Sequence, residues 1–227
     1  MRVRSKNGEE MTNVIKRAVI ILIILPLYLS GGELSIRVGA NHSWLYYSED
    51  LMYLENEFNP GLSIGLNASA FSRGNFESSY GIRFFSVGRY DELRIGGLDV
   101  EVELKHFYLS LPLQLDYALI VRLKAFLNVE PAFQIMSRFK HEINGSPEDE
   151  KSTITDEMNR FNLFLGIGLK YRFAVGGHEL GVGAQINYGL FRISKDEQFD
   201  VTEQGSRSWL DWRAREIVLN VEYIIRV

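Results

Sequence analysis

Residues 34–47, LSIRVGANHSWLYY, place Leu34, Ile36, Val38, Ala40, Trp44 and Tyr46 on one parity and Ser35, Arg37, Gly39, Asn41 and Ser43 on the other. Successive strand side chains point to opposite faces, so this stretch is a strand with one apolar and one polar face. The same alternation returns at Leu62–Ala70, Phe76–Phe84, Phe107–Tyr117, Leu123–Ile135, Phe161–Tyr171, Leu180–Tyr188 and Ile217–Val227. That makes eight strands and no convincing helix.

The loops decide which face is wet. Connections after the first, third, fifth and seventh strands are long: Ser48–Asn59, Gly88–Gly97, Arg138–Arg160 and Ser194–Arg213. Those after the second, fourth and sixth are short: Ser72–Asn75, Ala118–Arg122 and Ala174–His178. A soluble sandwich has no reason to sort loops by strand parity, whereas an outer-membrane barrel has short periplasmic turns and long outer loops. The strands are also longer than the 5–6 residues usual in globular sheets and suit a tilted bilayer crossing. Aromatic residues near strand ends read as interface girdles: Trp44, Tyr46, Trp209 and Trp212 at one end, Tyr117, Tyr171 and Tyr223 at the other.

The expected fold is therefore all-β, an eight-stranded antiparallel up-and-down transmembrane β-barrel. Its polar face lines the interior, where Arg37, Glu77, Arg83, Lys124, Glu130, Lys170 and Glu222 form a lumen charge network. Charges of both signs are needed there, because a buried charge requires a partner. Such a lumen is just filled by side chains, and Tyr108, Phe126, Phe164 and Phe191 are expected to point inward and block it further.

The amino terminus reads as an address. Ala18–Leu29 is an apolar run behind Lys16 and Arg17, too short to span a bilayer, with Ser30-Gly31-Gly32 following. Residues 1–32 are expected to be a cleavable signal peptide, with Met11 as a second start, and 33–227 the barrel. Both termini are then periplasmic. The absence of cysteine excludes disulfides, zinc–thiolate sites and thiol nucleophiles. A net charge of −4 leaves no basic excess for nucleic acid.

Motifs with chemistry are few. Gly166-x-Gly168 and Gly181-x-Gly183 lack a third glycine and open no helix, so they read as small inward residues rather than a phosphate cradle. His42, beside Ser43 and Trp44, is what an outer-leaflet lipid-modifying enzyme would use with a serine on a neighbouring strand. Glu148-Asp149-Glu150 lacks the regular spacing of a calcium loop. No catalytic residue, metal or cofactor is expected. Loops 138–160 and 194–213 are the candidate contacts for a protein partner; the other expected partners are outer-membrane lipid, lipopolysaccharide and the barrel assembly machinery. A non-enzymatic structural, adhesive or secretion-associated role follows, against two rivals: the lipid-modifying enzyme and a soluble lipocalin-like barrel binding an apolar ligand within.

The segment His106-Phe-Tyr-Leu-Ser-Leu-Pro-Leu-Gln-Leu-Asp-Tyr117 resembles a strand of the small PorT-like outer-membrane β-barrel proteins, as do Val129-Glu-Pro-Ala-Phe133, Leu165-Gly-Ile-Gly-Leu-Lys-Tyr171 and Ile186-Asn-Tyr-Gly-Leu190. The likeness runs over Leu34–Val227 and departs from the pattern at Glu130 and Val227. It implies an exported eight-stranded barrel; most such proteins have no assigned activity, and a few serve secretion or gliding machinery.

Overall fold

The computed structural model of the chain describes residues 33–46, 60–95, 98–143, 152–153, 158–193 and 213–226. The signal segment, Glu148–Glu150, Trp209, Trp212 and the side chains of Trp44 and Tyr46 lie outside the described residues. The strands are β1 (Glu33–Tyr46), β2 (Pro60–Arg73), β3 (Phe76–Ile95), β4 (Leu98–Ser110), β5 (Leu113–Ile120), β6 (Leu123–Ile143), the two-residue β7 (Ser152–Thr153), β8 (Phe161–Val175), β9 (His178–Gly189) and β10 (Arg213–Arg226).

Every pairing among the described residues is antiparallel, and β10 returns to β1 in register from Glu33↔Arg226 to Tyr46↔Arg213. β4 and β5 are one stave, because both lie between β3 and β6. They part at Leu111-Pro112, where proline has no N–H to give. The ladder continues across the break through Leu111 N–H to Pro131 O at 2.9 Å and Gly81 N–H to Pro112 O at 3.1 Å. With β7 a short addition to β6, the result is a closed eight-stranded barrel. Closure removes free sheet edges, which a bilayer does not tolerate.

The apolar parity faces outward. Leu62 is 75% exposed, Leu219 62%, Ile167 61% and Leu127 58%. In water such a surface would be a large unfavourable patch; against acyl chains it is matched. The outward apolar face overturns the lipocalin-like rival, which needs that face inside. Tyr117, Tyr171 and Tyr223 lie outward at the short-turn end of their strands, with Phe76 tilted on Tyr117 at 5.1 Å between ring centroids. The β8–β9 turn is Gly176-Gly177, at φ of 56° and 86°, the two positive values a tight type I′ hairpin demands.

Two expectations require correction. Gly88–Gly97 and Arg138–Arg160 are not loops throughout: β3 runs to Ile95, β4 starts at Leu98 and β6 continues to Ile143, all in register. Backbone pairing needs no apolar alternation, so the ladder outlasts the pattern that marks the bilayer. Phe191, expected inside, is 45% exposed and packs on Phe161 at 5.8 Å. β9 ends at Gly189, so the parity of the strand no longer governs Phe191, and Ile193 turns inward instead.

Candidate functional site

Among the described residues the barrel's interior gathers the largest set of charged and polar side chains, and it is layered along the strands. At the turn end, Arg172 bridges Glu33 at 2.8 Å and Glu77 at 3.1 Å, and Lys124 also pairs with Glu77. The next layer holds Lys170 against Asp116 at 2.7 Å. Gln114 donates to Asp116 at 2.6 Å and accepts from Arg37 at 3.2 Å. Arg37 reaches Glu222 at 3.5 Å, and Ser35 donates to the same carboxylate. Between these layers a pocket bounded by Glu33, Glu77, Lys170, Arg172 and Glu222 has room for about one water molecule.

Higher still, Arg83 lies between two carboxylates: Nη1 is 3.1 Å from Glu130 and 2.9 Å from Glu216, and Nη2 donates to Glu216 at 3.1 Å. All three side chains are buried. One cation facing two carboxylates leaves a charge to stabilise, and neutral donors surround it. Ser110 and Asn128 donate to Glu130, and Asn41 and Asn187 donate to Glu216 at 3.0 and 2.6 Å. Charge-assisted bonds of this kind are the strong ones. All seven lumen charges named from sequence thus point inward into ion pairs. Asp116, Glu216, Arg172 and Glu33 are partners that were not singled out, although they share the polar parity of their strands.

Small residues make room for these groups. A Cβ on Gly168 would sit 2.5 Å from Ala184 O and run into the Phe126 ring, and one on Gly183 would sit 2.8 Å from Asn220 Oδ1. The glycine pairs therefore accommodate lumen side chains, as expected, rather than phosphate.

Above the charges the lumen turns apolar. Phe85, Tyr108 and Phe164 are fully buried and meet as a trio at centroid distances of 5.4, 5.4 and 5.8 Å. Val87, Leu104, Ala132, Met158, Ile193 and Ala214 surround them. Arg83 joins the two halves, its guanidinium 4.1 Å from the Phe85 ring centroid. Sequence reasoning placed Tyr108 and Phe164 here but ended the third strand at Phe84, and so missed Phe85 and Val87. Continuing the parity Arg83, Phe85, Val87 would have found them.

Catalytic arrangements are sparse. His42 has Pro60 and Ile217 opposite it on the flanking strands, so the register puts no serine beside it. Ser43 points inward and bonds Gly88. His106 Nδ1 lies 2.8 Å from Ser137 Oγ, a distance suited to activating a hydroxyl, but both are fully buried beside the plug and His106 Nε2 has no carboxylate on it. Among the described residues no group of three His, Asp or Glu could hold a metal ion.

A closed barrel with an apolar exterior and an ion-paired lumen is the form of a small outer-membrane protein, and residues 31–195 match the model of the family described as outer membrane protein beta-barrel domain. The chain belongs to this family. This outer-membrane beta-barrel domain is similar to many solved structures, among them the following two. One is Ail, the attachment invasion locus protein of Yersinia pestis, at 13% identity and TM-score 0.45, covering 86% of this chain and 99% of that one. The other is Neisserial surface protein A, at 14% identity and TM-score 0.42, covering 86% and 97%. No curated protein matches the sequence. As an outer-membrane beta-barrel domain, the chain presents its apolar face to outer-membrane lipid.

Proposed function

We propose that this outer-membrane barrel is a non-conducting, non-enzymatic component of the PorT-like kind that acts through its outer hairpins. In this reading residues 1–32 are removed on export, the barrel assembly machinery inserts 33–227, and the short turns and both termini face the periplasm. The lumen ion pairs hold the barrel's shape, and segments 138–160 and 194–213 meet a partner outside the cell.

The observation that carries this reading is the apolar stack of Phe85, Tyr108 and Phe164 across the outer half of the lumen, seated on the Arg83 carboxylate layer. The packed rings occupy the bore there, so an ion would have to displace them and shed most of its hydration to cross. The test is single-channel recording in planar bilayers. The natural protein should give no defined conductance, and a Phe85→Ala/Tyr108→Ala/Phe164→Ala variant should give discrete openings. Steady channels from the natural protein would refute the reading.

A further inference from the structure

We propose that the lipid-facing wall carries a site for an anionic glycerophospholipid of the periplasmic leaflet, with an acyl chain in a groove across β5, β6, β8 and β9 and the phosphate on Arg73 and Arg122. The choice of leaflet rests on the orientation proposed above, with the tight turns in the periplasm; the lipid chemistry does not.

The groove interrupts an otherwise bulky apolar wall. Residues opposite one another on paired strands share a face, and the register sets Arg73, Phe76, Tyr117, Ala125, Leu169 and Ala184 in one outward row. The adjacent row, from Leu115 through Ile167 to Ile217, is large throughout. Ala125 and Ala184 are too short to fill the space beside such neighbours, and Gly168 behind them is bare backbone. The resulting hollow has a volume of about 650 Å³ and a mostly apolar lining. Sites for small molecules run from ~300 to ~1,000 Å³.

The end of the groove nearest the turns is basic. Arg73 heads the row opposite Phe76, Arg122 lies in the β5–β6 turn, and both are exposed. Asn75 O accepts from Ala118 N–H at 2.8 Å, which ties the β2–β3 and β5–β6 turns side by side. A register shift at Leu119 sets Ile120 opposite Leu123 on the outward face, so the wall stays apolar down to the turn that carries Arg122. The carboxylates described at this end are Glu33, Glu77, Asp116, Glu179 and Glu222. Each is held by another cation: Arg172, Lys124, Lys170, Arg226 and Arg37 respectively. Neither Arg73 nor Arg122 has an ion pair or a side-chain hydrogen bond among the described residues.

What fills a hollow in this wall arrives in the plane of the bilayer, and charge selects the occupant. Guanidinium groups grip phosphate with parallel hydrogen bonds while their stems lie along apolar surface, which suits an anionic phosphate carried on acyl chains. A zwitterionic headgroup would bring an ammonium in need of a carboxylate, and the carboxylates here are taken. A second copy, related by a two-fold axis along the membrane normal, would set its own uncompensated arginines at the same depth, like charge against like.

The test is native mass spectrometry of the full barrel refolded in detergent, with equal amounts of phosphatidylglycerol and phosphatidylethanolamine and with unheated gel mobility verifying the fold of each variant. The natural protein should retain one phosphatidylglycerol in preference to phosphatidylethanolamine. Arg73→Gln/Arg122→Gln should weaken that retention roughly ten-fold and abolish the preference. Ala125→Leu/Ala184→Leu, which keeps both arginines and fills the groove, should weaken it as well, whereas Arg138→Gln at the other end should leave it unchanged. Equal retention of the two lipids by the natural protein would overturn the proposal, as would a dimer without bound lipid. Undiminished phosphatidylglycerol on the groove-filled variant would overturn the placement of the acyl chain. The orientation is tested separately by labelling with an impermeant maleimide, which is clean because the chain has no cysteine. Asn75→Cys should label only after the outer membrane is permeabilised. Labelling in intact cells would overturn the orientation and the leaflet with it, while the mass spectra still decide the lipid chemistry.

Discussion

Replacing Arg83 by methionine is the sharpest perturbation available in this lumen. The substitution keeps most of the side chain's apolar volume and removes the only cation within hydrogen-bond distance of Glu130 and Glu216 among the described residues. Both carboxylates then depend on Ser110, Asn128, Asn41 and Asn187 alone. Removing one partner of a buried pair costs about 3–5 kcal/mol, because an uncompensated charge stays behind. Here two carboxylates are stranded, so Arg83→Met should cost at least the lower bound, about 3 kcal/mol, with protonation of one carboxylate limiting the rest. The charge-free combination Arg83→Met/Glu130→Gln/Glu216→Gln should recover most of that loss, since exchanging a whole buried ion cluster for neutral groups is often close to neutral. Reversible guanidinium unfolding of the refolded barrel, followed by the fraction running as the unheated form on a gel, gives the midpoint and slope for each protein. Arg226→Gln serves as the exposed control, its side chain 75% exposed, and should change stability by less than about 1 kcal/mol. A single Arg83→Met variant as stable as Arg226→Gln, or a triple variant no better than the single one, would refute the reasoning.

Other consequences follow from the two faces. Ile167→Arg, on the outward face of β8, should destabilise the barrel in lipid by about 2–4 kcal/mol, as measured by the same unfolding midpoint. Gly168→Val should lower the refolding yield in lipid vesicles sharply, because its Cβ would meet Ala184 O and the Phe126 ring. Phe164→Ala should cost about 3–5 kcal/mol by opening a cavity in the aromatic trio, read as a lowered thermal midpoint for the gel-mobility shift. Gly177→Ala, at φ 86°, should lose roughly 1 kcal/mol, and Asn at that position should lose less because it tolerates the left-handed region.

The staves were legible because one physical contrast, lipid outside and polar groups inside, is written along each of them with a period of two. Arg37 and Glu222 illustrate this: each stands on the polar parity of its strand, and the β1–β10 register sets them opposite one another. The outer half of the lumen was less legible. Where Phe84 is followed by Phe85, both faces are apolar, the alternation vanishes, and the plug resembles the end of a strand. Phe191 failed for a related reason, since parity predicts orientation only while the ladder lasts, and β9 stops at Gly189. The outer hairpin of β3 and β4 and the extension of β6 were missed because hydrogen bonds between strands leave no signature in hydropathy.

Membrane fractionation, followed by electrophoresis of boiled and unboiled samples, tests the central claim that this chain closes into a barrel with its apolar face in the outer membrane. The account predicts recovery with the outer membrane and a band that migrates differently until heated, because a closed hydrogen-bonded barrel resists detergent. Recovery as a soluble periplasmic protein with no heat-dependent shift would contradict it.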